Sequence, residues 1–270
     1  MKVKYYILAA IAVLAFAACE EENGDEQSHG KRLHSTTQST TFMMVIGNDT
    51  TVNHMYDRYA TYEWSAENPK QIVCITTSDT TGVTAKDEYK YNEKGQITDH
   101  TTLWRMQGDQ FTEMTDHVTY LSDRVCVISS EEDFMGNDTI EVNAAGQVIR
   151  ETWSSPHLDA HRVTNYEWKN GDMVKSMELY TLDGVASSTT TSCTYDKKNN
   201  AWKNAGHPFF DSDVQNAHNM LTYSRDNESE TCSYTYEGEW PTTCTITATS
   251  DYGDEKIITV YHYVFTYENY

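Results

Sequence analysis

Two stretches of the chain decide the fold: Tyr89–Ile97, with the sequence YKYNEKGQI, and Ile140–Val148, with the sequence IEVNAAGQV. In each stretch, two aromatic or aliphatic residues spaced two apart precede a turn with Asn and Gly, and an aliphatic residue follows it. Residues at i and i+2 share one face of a strand, and Asn/Gly-rich segments between strands form hairpin turns. Each stretch therefore predicts a β-hairpin.

The same unit recurs along the chain, and a second series of turn signals falls between its copies. Further copies start at the aromatic pairs Tyr62/Trp64, Tyr166/Trp168 and Tyr234/Tyr236, and weaker ones lie around Tyr120 and Tyr195. Turn signals recur about every 13 or 14 residues, and no stretch shows a 3.6-residue period. This spacing predicts about 14–16 antiparallel strands in sequential order.

An open sheet seldom exceeds about ten strands without curling or closing. The fold class predicted from the sequence is therefore all-β: an antiparallel up-and-down meander of about 14–16 strands, curled into a barrel-like or strongly bent sheet. We expect that it is not a membrane barrel, because segments such as 112–120 and 231–236 lack a continuous lipid-facing apolar row.

The N-terminal region predicts export and lipidation. Lys2 and Lys4 precede an apolar run, residues 5–18, that is too short to span a bilayer as a helix. The run ends in Leu-Ala-Phe-Ala-Ala before Cys19, which resembles a lipobox. Cleavage before Cys19 would leave a cysteine that carries acyl chains, and several chains together give a stable membrane anchor.

The predicted domain organisation follows from these signals. Residues 1–18 are a lipoprotein signal peptide, and residues 19–41 are the acylated cysteine followed by a disordered acidic and polar tether. Residues 42–270 form the β-meander domain. An insertion at about residues 199–220 interrupts the turn rhythm, and we expect it to pack over one end of the sheet through Trp202, Phe209 and Phe210, with a short helix at 211–219.

The charge of the chain limits its partners. The chain carries 20 basic and 41 acidic residues. Loss of residues 1–18, which contain Lys2 and Lys4, would leave 18 basic residues against 41 acidic ones, a net charge of −23. Such a surface repels nucleic acid, which is therefore not an expected partner. The partners that stay open on other grounds are the membrane, reached through the lipid anchor, and a glycan, a peptide or an outer-membrane protein.

The sequence contains no motif for catalysis, and we predict that the protein is not an enzyme. A nucleophile elbow and a phosphate-binding glycine loop are both absent. Neither a metal site nor a cofactor is expected, because His157–His161 falls at a hairpin tip and the acids at 211 and 213 lack the remaining calcium ligands of an EF-hand. Calcium is the weak alternative. Cys232 and Cys244 flank one predicted hairpin, where they either pair or remain buried thiols.

Four tryptophans are candidates for ligand binding, since indole faces stack on sugars and their N–H groups hydrogen-bond at a wet surface. They fall near predicted loops or strand ends: Trp104, Trp153, Trp202 and Trp240. The alternative is that they pack the apolar face of the sheet.

The tyrosine-rich unit at residues 87–101 resembles the tyrosine–aspartate repeats of large secreted bacterial proteins. The chain resembles more closely the Bacteroides-type lipoproteins that carry a domain of unknown function with a porin-like β fold. The shared features are the lipobox, the Tyr-x-Tyr turn repeats, the segment HPFF at 207–210 and the closing segment YTYEGEWPT at 234–242. This resemblance implies a multistranded β fold and an outer-membrane location, and it assigns no functional residue.

The acidic residues at 20–22 also resemble the surface-export signals of these bacteria, which implies an outward-facing protein, with a periplasm-facing one as the alternative. The sequence thus predicts a surface-exposed outer-membrane lipoprotein that acts as a non-catalytic binding or accessory module. Two alternatives stay open: a structural partner of an outer-membrane complex, and a glycan-directed hydrolase with its carboxylates in a cleft.

Overall fold

The computed structural model describes residues 31–270, except 48, 107–109, 131–135, 156, 204, 207, 208 and 210–213, and except the side chains of 54–56. Cys19, the signal peptide and the acidic residues at 20–22 lie outside the described residues. Within them, no helix has the length and apolar character needed to cross a membrane.

Sixteen antiparallel strands make up the structure, each hydrogen-bonded to its neighbours in sequence. They are β1 (Lys31–Ile46), β2 (Asp49–Trp64), β3 (Ile72–Asp79), β4 (Gly82–Tyr91), β5 (Ile97–Arg105), β6 (Phe111–Ser122), β7 (Val125–Ser130), β8 (Asn137–Val142), β9 (Val148–Ser155), β10 (Ala160–Lys169), β11 (Asp172–Leu182), β12 (Val185–Asn199), β13 (His218–Arg225), β14 (Glu228–Glu237), β15 (Trp240–Asp251) and β16 (Glu255–Asn269).

The fold class predicted from the sequence was wrong. The sheet is a closed barrel, because β1 pairs with β16 along its whole length, from Lys31 opposite Asn269 to Ile46 opposite Glu255. The open, strongly bent sheet is therefore excluded. The expectation that this is not a membrane barrel is withdrawn with it, since closure pairs the backbone of both terminal strands and removes the free edges that a bilayer does not tolerate.

The first strand begins earlier than the tether prediction allowed. Residues 31–41 belong to β1, and within them Leu33 is 1% exposed and Thr40 is 1% exposed. The Ser/Thr/Gln composition of this segment was read as a disordered coil. Thr and Ser are nevertheless compatible with a strand when both neighbouring strands are present, and β2 and β16 supply them here.

The turn between β4 and β5 and the turn between β8 and β9 have the same geometry. In one, the side-chain oxygen of Asn92 accepts hydrogen bonds from the backbone N–H groups of Lys94 and Gln96, both at 3.0 Å. Asn143 accepts in the same way from Ala145 at 2.9 Å and Gln147 at 3.1 Å. A Gly with positive φ follows in each turn, at 75° and 79°.

These turns lie at the end of the barrel where β1 begins and β16 finishes, which we call the closed end. The opposite end, with the turns after β1, β3, β5 and the other odd strands, is the open end. At the closed end the inward side chains form one apolar cluster with members from every side of the wall. Ile72 and Ile97 are 0% exposed there, so this half of the interior is solid.

A repeated hydrogen bond explains the aromatic pairs. On six of the even-numbered strands, a ring N–H or O–H donates to a backbone carbonyl at the start of the preceding strand. The donors and acceptors are Trp64 to Leu33, Tyr91 to Ile72, Trp168 to Val148, Tyr195 to Met173, Tyr234 to Met220 and Tyr267 to Pro241, at 2.6–3.0 Å. These ring-to-carbonyl bonds satisfy carbonyls near irregularities of the ladder.

The two remaining even strands depart from this pattern. The hydroxyl of Tyr120 on β6 is buried and has no hydrogen-bond partner among the described residues, and β8 carries Val142 where the other strands carry a ring. Both residues line a small crevice that also touches Phe209 and has room for about one water molecule.

The insertion between β12 and β13 closes this end of the barrel. Ala201, Ala205, Phe209 and Val214 are at most 5% exposed. Buried amides hold it to the wall: Asn216 accepts from the backbone N–H of Met173 at 2.7 Å, and Gln215 accepts from that of Val148 at 3.0 Å. The short helix expected at 211–219 cannot extend to its predicted end, because β13 starts at His218; Val214 has 3₁₀-helical geometry, and residues 211–213 lie outside the described residues.

Candidate functional site

The inner surface changes character towards the open end. Cross-strand partners share a face, so the partners of core residues identify the inward positions. Following these positions from β4 to β14 gives a belt of charged side chains, which we call the lumen belt: Asp87, His100, Asp116, Asp138, Glu151, Arg162, Glu178, Arg225, Glu228 and Glu230. Acids outnumber bases in this belt.

The first part of the belt surrounds a buried histidine. His100 on β5 lies 3.1 Å from a carboxylate oxygen of Asp87 on β4, and its other ring nitrogen lies 3.9 Å from Asp116 on β6. The ring stacks on Tyr89, with centroids 4.8 Å apart. Thr102 donates a second hydrogen bond to Asp87 at 3.0 Å. Burial raises the pKa of Asp116 despite its nearness to His100.

The second part of the belt is a carboxyl pair that shares one arginine. The guanidinium of Arg162 on β10 contacts Glu151 on β9, and it lies 3.4 Å from Asp138 on β8. Tyr166 donates to the other oxygen of Glu151 at 2.9 Å. Burial, reinforced by the charge of Glu151 and a hydrogen bond to it, raises the pKa of Asp138 to about 7. Burial and the neighbouring carboxylate thus both favour the protonated form of Asp138.

The same arginine is held in its charged form. Burial opposes the charge of Arg162, but Glu151 and Asp138 outweigh burial and raise the pKa of its guanidinium. Arg225 on β13 is held in its charged form in the same way. Its guanidinium lies 3.0 Å from the carboxylate of Glu178 on β11, and that carboxylate raises the pKa of Arg225 against the effect of burial. Both guanidinium groups are thus fixed charges of the lumen.

Solvent reaches this half of the interior. The side chains of Arg162 and Arg225 are each 35% exposed although they point inward, and Glu178 is 26% exposed. The described parts of β7 and β8 have 6 residues each against 16 in β1 and β2, and residues 131–135 between them lie outside the described residues. Asp138 is the second residue of β8, so the carboxyl pair lies near the end of that strand that faces the open end of the barrel.

The four candidate tryptophans do not form one platform. Trp104 points into the open half, between Ala85 and Thr112 on the flanking strands, and Trp153 does so between Asp138 and Arg162, whose guanidinium carbon lies 5.9 Å from the indole centroid.

The other two belong to the closed half. Trp202 packs edge-on against Phe265 at 5.1 Å, and Trp240 packs against Tyr267 at 5.3 Å. The structure therefore leaves Trp104 and Trp153 as the tryptophans with access to a ligand in the lumen.

The remaining sequence candidates are dispersed. His157 and Asp159 are exposed in the turn after β9, and His161 is on the outer face of β10. Among the described residues, no three His, Cys, Asp or Glu side chains are placed to hold a metal ion. Cys232 and Cys244 do not form a disulfide, and a hydrogen bond from the Cys232 thiol lowers the pKa of Cys244. The acids at 211 and 213 lie outside the described residues.

Sequence reasoning missed the lumen belt. Its members are single charged residues in strands that otherwise alternate Thr and aromatic residues, such as Arg162 in AHRVTNYEWK. A usable signal was present, because Asp87, Arg162 and Glu230 share strand parity with the aromatic pairs that follow them. Charges on the aromatic face of a strand point inward.

Comparison with known proteins adds little. No protein-family model matches the chain, and no curated protein matches it. Among solved structures it is similar to a porin-like protein from Bacteroides uniformis, with 14% sequence identity over 85% of this chain and 97% of that chain, at a TM-score of 0.38. A likeness at this level carries no argument about function.

Proposed function

We propose that the protein is a non-catalytic binding module, displayed at the outer-membrane surface by a lipid on Cys19, whose open half-lumen holds a polyhydroxylated ligand of the glycan class. The observation that carries the proposal is the division of the interior into a packed, apolar half and a solvent-accessible half with charged and indole side chains. Such an interior is a cavity that opens at one end of the barrel, which suits retention of a ligand.

The side chains of the open half-lumen suit a ligand with many hydroxyl groups. Carboxylates accept hydrogen bonds, guanidinium groups donate them, and indole faces stack on the C–H surface of a sugar ring. Trp153, Arg162 and Asp138 present these three functions side by side on β8, β9 and β10. Trp104 supplies a second aromatic surface on β5.

The arrangement of the carboxyl groups favours binding over hydrolysis. Glycosidases need two carboxyl groups roughly 5–10 Å apart, with the scissile bond between them. Asp138 and Glu151 are instead hydrogen-bonded to each other and share Arg162, so no room is left between them for a sugar. This pair supports a role in holding the ligand.

Binding of the full-length, detergent-solubilised protein to a glycan array tests the proposal. The hit would be followed by titration of the wild type, Trp153→Ala and a matched control, Tyr59→Ala. Tyr59 is 47% exposed on the outer face of β2, so its loss removes an aromatic surface outside the lumen.

We expect Trp153→Ala to weaken binding at least tenfold, about 1.4 kcal/mol, and Tyr59→Ala to leave it unchanged. No binding across the array, or equal losses in the two variants, would refute a lumen site for glycans. The anchor has a separate test: Cys19→Ala should release the protein from the membrane fraction, and continued membrane attachment would show that Cys19 is not the anchor.

A further inference from the structure

Charge is distributed very unevenly over the outer wall of the barrel. Apart from the N-terminal apolar run, five stretches of at least 11 residues contain no Asp, Glu, Lys or Arg, namely residues 35–46, 185–195, 214–224, 240–250 and 257–267. They supply most of β1, β12, β13, β15 and β16, which are adjacent to one another or separated only by β14. The outward residues of β13 and β14 include Thr222, Ser224, Ser229, Thr231, Ser233 and Thr235, and the charged Glu237 lies at the closed end of β14.

We call the middle of the outer face of β12–β16 and β1 the uncharged sector; it excludes the strand ends, which carry Arg32, Glu237, Asp251, Lys256 and Glu268. The wall opposite carries ionised side chains on nearly every strand: Lys86, Glu88, Lys90, Asp99, Glu113, Glu141, Arg150, Glu167 and Lys175. The contrast is notable in a chain in which 23% of residues are charged and whose formal net charge is −21.

Many hydroxyl groups of the uncharged sector are already hydrogen-bonded to one another. Thr194 pairs with Thr222 at 2.6 Å, and Ser35 pairs with Thr266 at 2.7 Å. A hydroxyl that is already hydrogen-bonded within the sheet loses little free energy when water is removed from it. A Thr residue then exposes mainly its methyl group to an associating protein. Burial of this surface is therefore inexpensive.

An apolar row crosses the same sector. Ile258 on β16 is opposite Met43 on β1, and Met43 is opposite Val52 on β2, all on the outer face. Val52 is 57% exposed, and Val264 farther along β16 is 41% exposed. These side chains add apolar area that water would leave on association.

The size of the sector is close to that of a protein interface. Six strands at about 4.8 Å and about seven residues at 3.4 Å give roughly 29 by 24 Å, on the order of 700 Å². A standard interface buries about 800 Å² on each partner.

We propose that the uncharged sector is the surface through which two copies of this chain associate. Each copy is strongly acidic as a whole, and contact through the opposite wall would remove its acidic and basic side chains from water, which is costly. Contact through the uncharged sector keeps those charges on the far side of each barrel. In an isologous dimer, the same surface of each copy forms the interface, so one sector is sufficient. The inference does not depend on a ligand in the lumen.

Sedimentation velocity of the full-length protein in excess detergent micelles tests this association. Thr231 and Thr247 face each other on the outer side of β14 and β15, and Thr139 and Thr152 do so on β8 and β9. The double variants Thr231→Lys/Thr247→Lys and Thr139→Lys/Thr152→Lys add the same charge to opposite walls, so the second is a matched control.

We expect a wild-type dimer, at least tenfold weaker dimerisation in the β14/β15 variant, and no change in the β8/β9 control. Raising the salt concentration should strengthen the dimer, since it screens like charges. A monomeric wild type, or equal weakening in both variants, would overturn the proposal. If a Lys variant fails to fold, bismaleimide cross-linking of Thr231→Cys in membranes, with Thr139→Cys as the control, decides the question: cross-linked dimer is expected for Thr231→Cys alone.

Discussion

Removal of a single phenolic oxygen tests whether the ring-to-carbonyl bonds stabilise the barrel. Tyr91→Phe deletes the hydroxyl that donates to the carbonyl of Ile72 at 2.7 Å and leaves the ring in place. Ile72 is 0% exposed, so its carbonyl loses a partner where water does not readily replace it. The lost bond and the buried acceptor together predict a loss of about 1–2 kcal/mol in the free energy of unfolding.

Tyr120→Phe is the matched control. Tyr120 occupies the corresponding place on β6, but its buried hydroxyl has no partner among the described residues. Removing an unsatisfied buried hydroxyl relieves a desolvation cost, so this variant should be neutral or more stable by up to about 1 kcal/mol.

Urea unfolding of the two variants and the wild type, followed by tryptophan fluorescence, gives the comparison. The midpoint of Tyr91→Phe should fall and that of Tyr120→Phe should not, at equal m-values. Equal destabilisation of the two variants would mean that the packing of the rings, and not their hydrogen bonds to carbonyls, stabilises the repeated unit. The reasoning about the repeated unit would then be wrong.

Three further predictions concern other parts of the barrel. The pKa of Asp138 is raised from its usual 3.8 to about 7, so the free energy of unfolding of the wild type should fall as the pH rises from about 4 to 7. Asp138→Asn should therefore gain roughly 2–3 kcal/mol relative to the wild type between pH 5 and pH 8 in urea unfolding, and a difference that does not change with pH would contradict this. The five thiols within the described residues are buried, and burial raises the pKa of Cys126 to about 12, so Ellman's reagent should react with none in the native protein and with all five in denaturant. Phe209→Ala should cost about 3–5 kcal/mol in the same unfolding assay, and a loss below about 1 kcal/mol would show that the insertion does not close the barrel.

The turn units could be predicted from sequence because their causes are local. Asn92 and Gly95 determine their turn through bonds within five residues, and the alternation of Tyr89 and Tyr91 identifies the inner face of β4. Closure could not be predicted in the same way. The pairing of Lys31 with Asn269 joins residues from opposite ends of the sheet, and nothing within either strand specifies the other as its neighbour.

The candidate site was partly predictable for the same reason. Trp104 and Trp153 were identified from residue type and from their positions near predicted strand ends, and strand parity places them on the inner face. The carboxyl pair was not, because Asp138 and Glu151 meet only after β8 and β9 pair in one register, with Ile140 opposite Glu151. A shift of that register by one residue would turn Asp138 outward.

The pairing of β1 with β16 also sets the order in which the protein can acquire its structure. Every other pair of neighbouring strands is joined by one connection, so its two strands can pair soon after both have been synthesised. One edge of β1, by contrast, stays unpaired until β16 is synthesised more than 200 residues later. Contacts of such long sequence separation form slowly, and an exposed strand edge meanwhile pairs readily with other chains. Substitutions in β16 should therefore raise aggregation during biogenesis more than equally destabilising substitutions in β7 or β8.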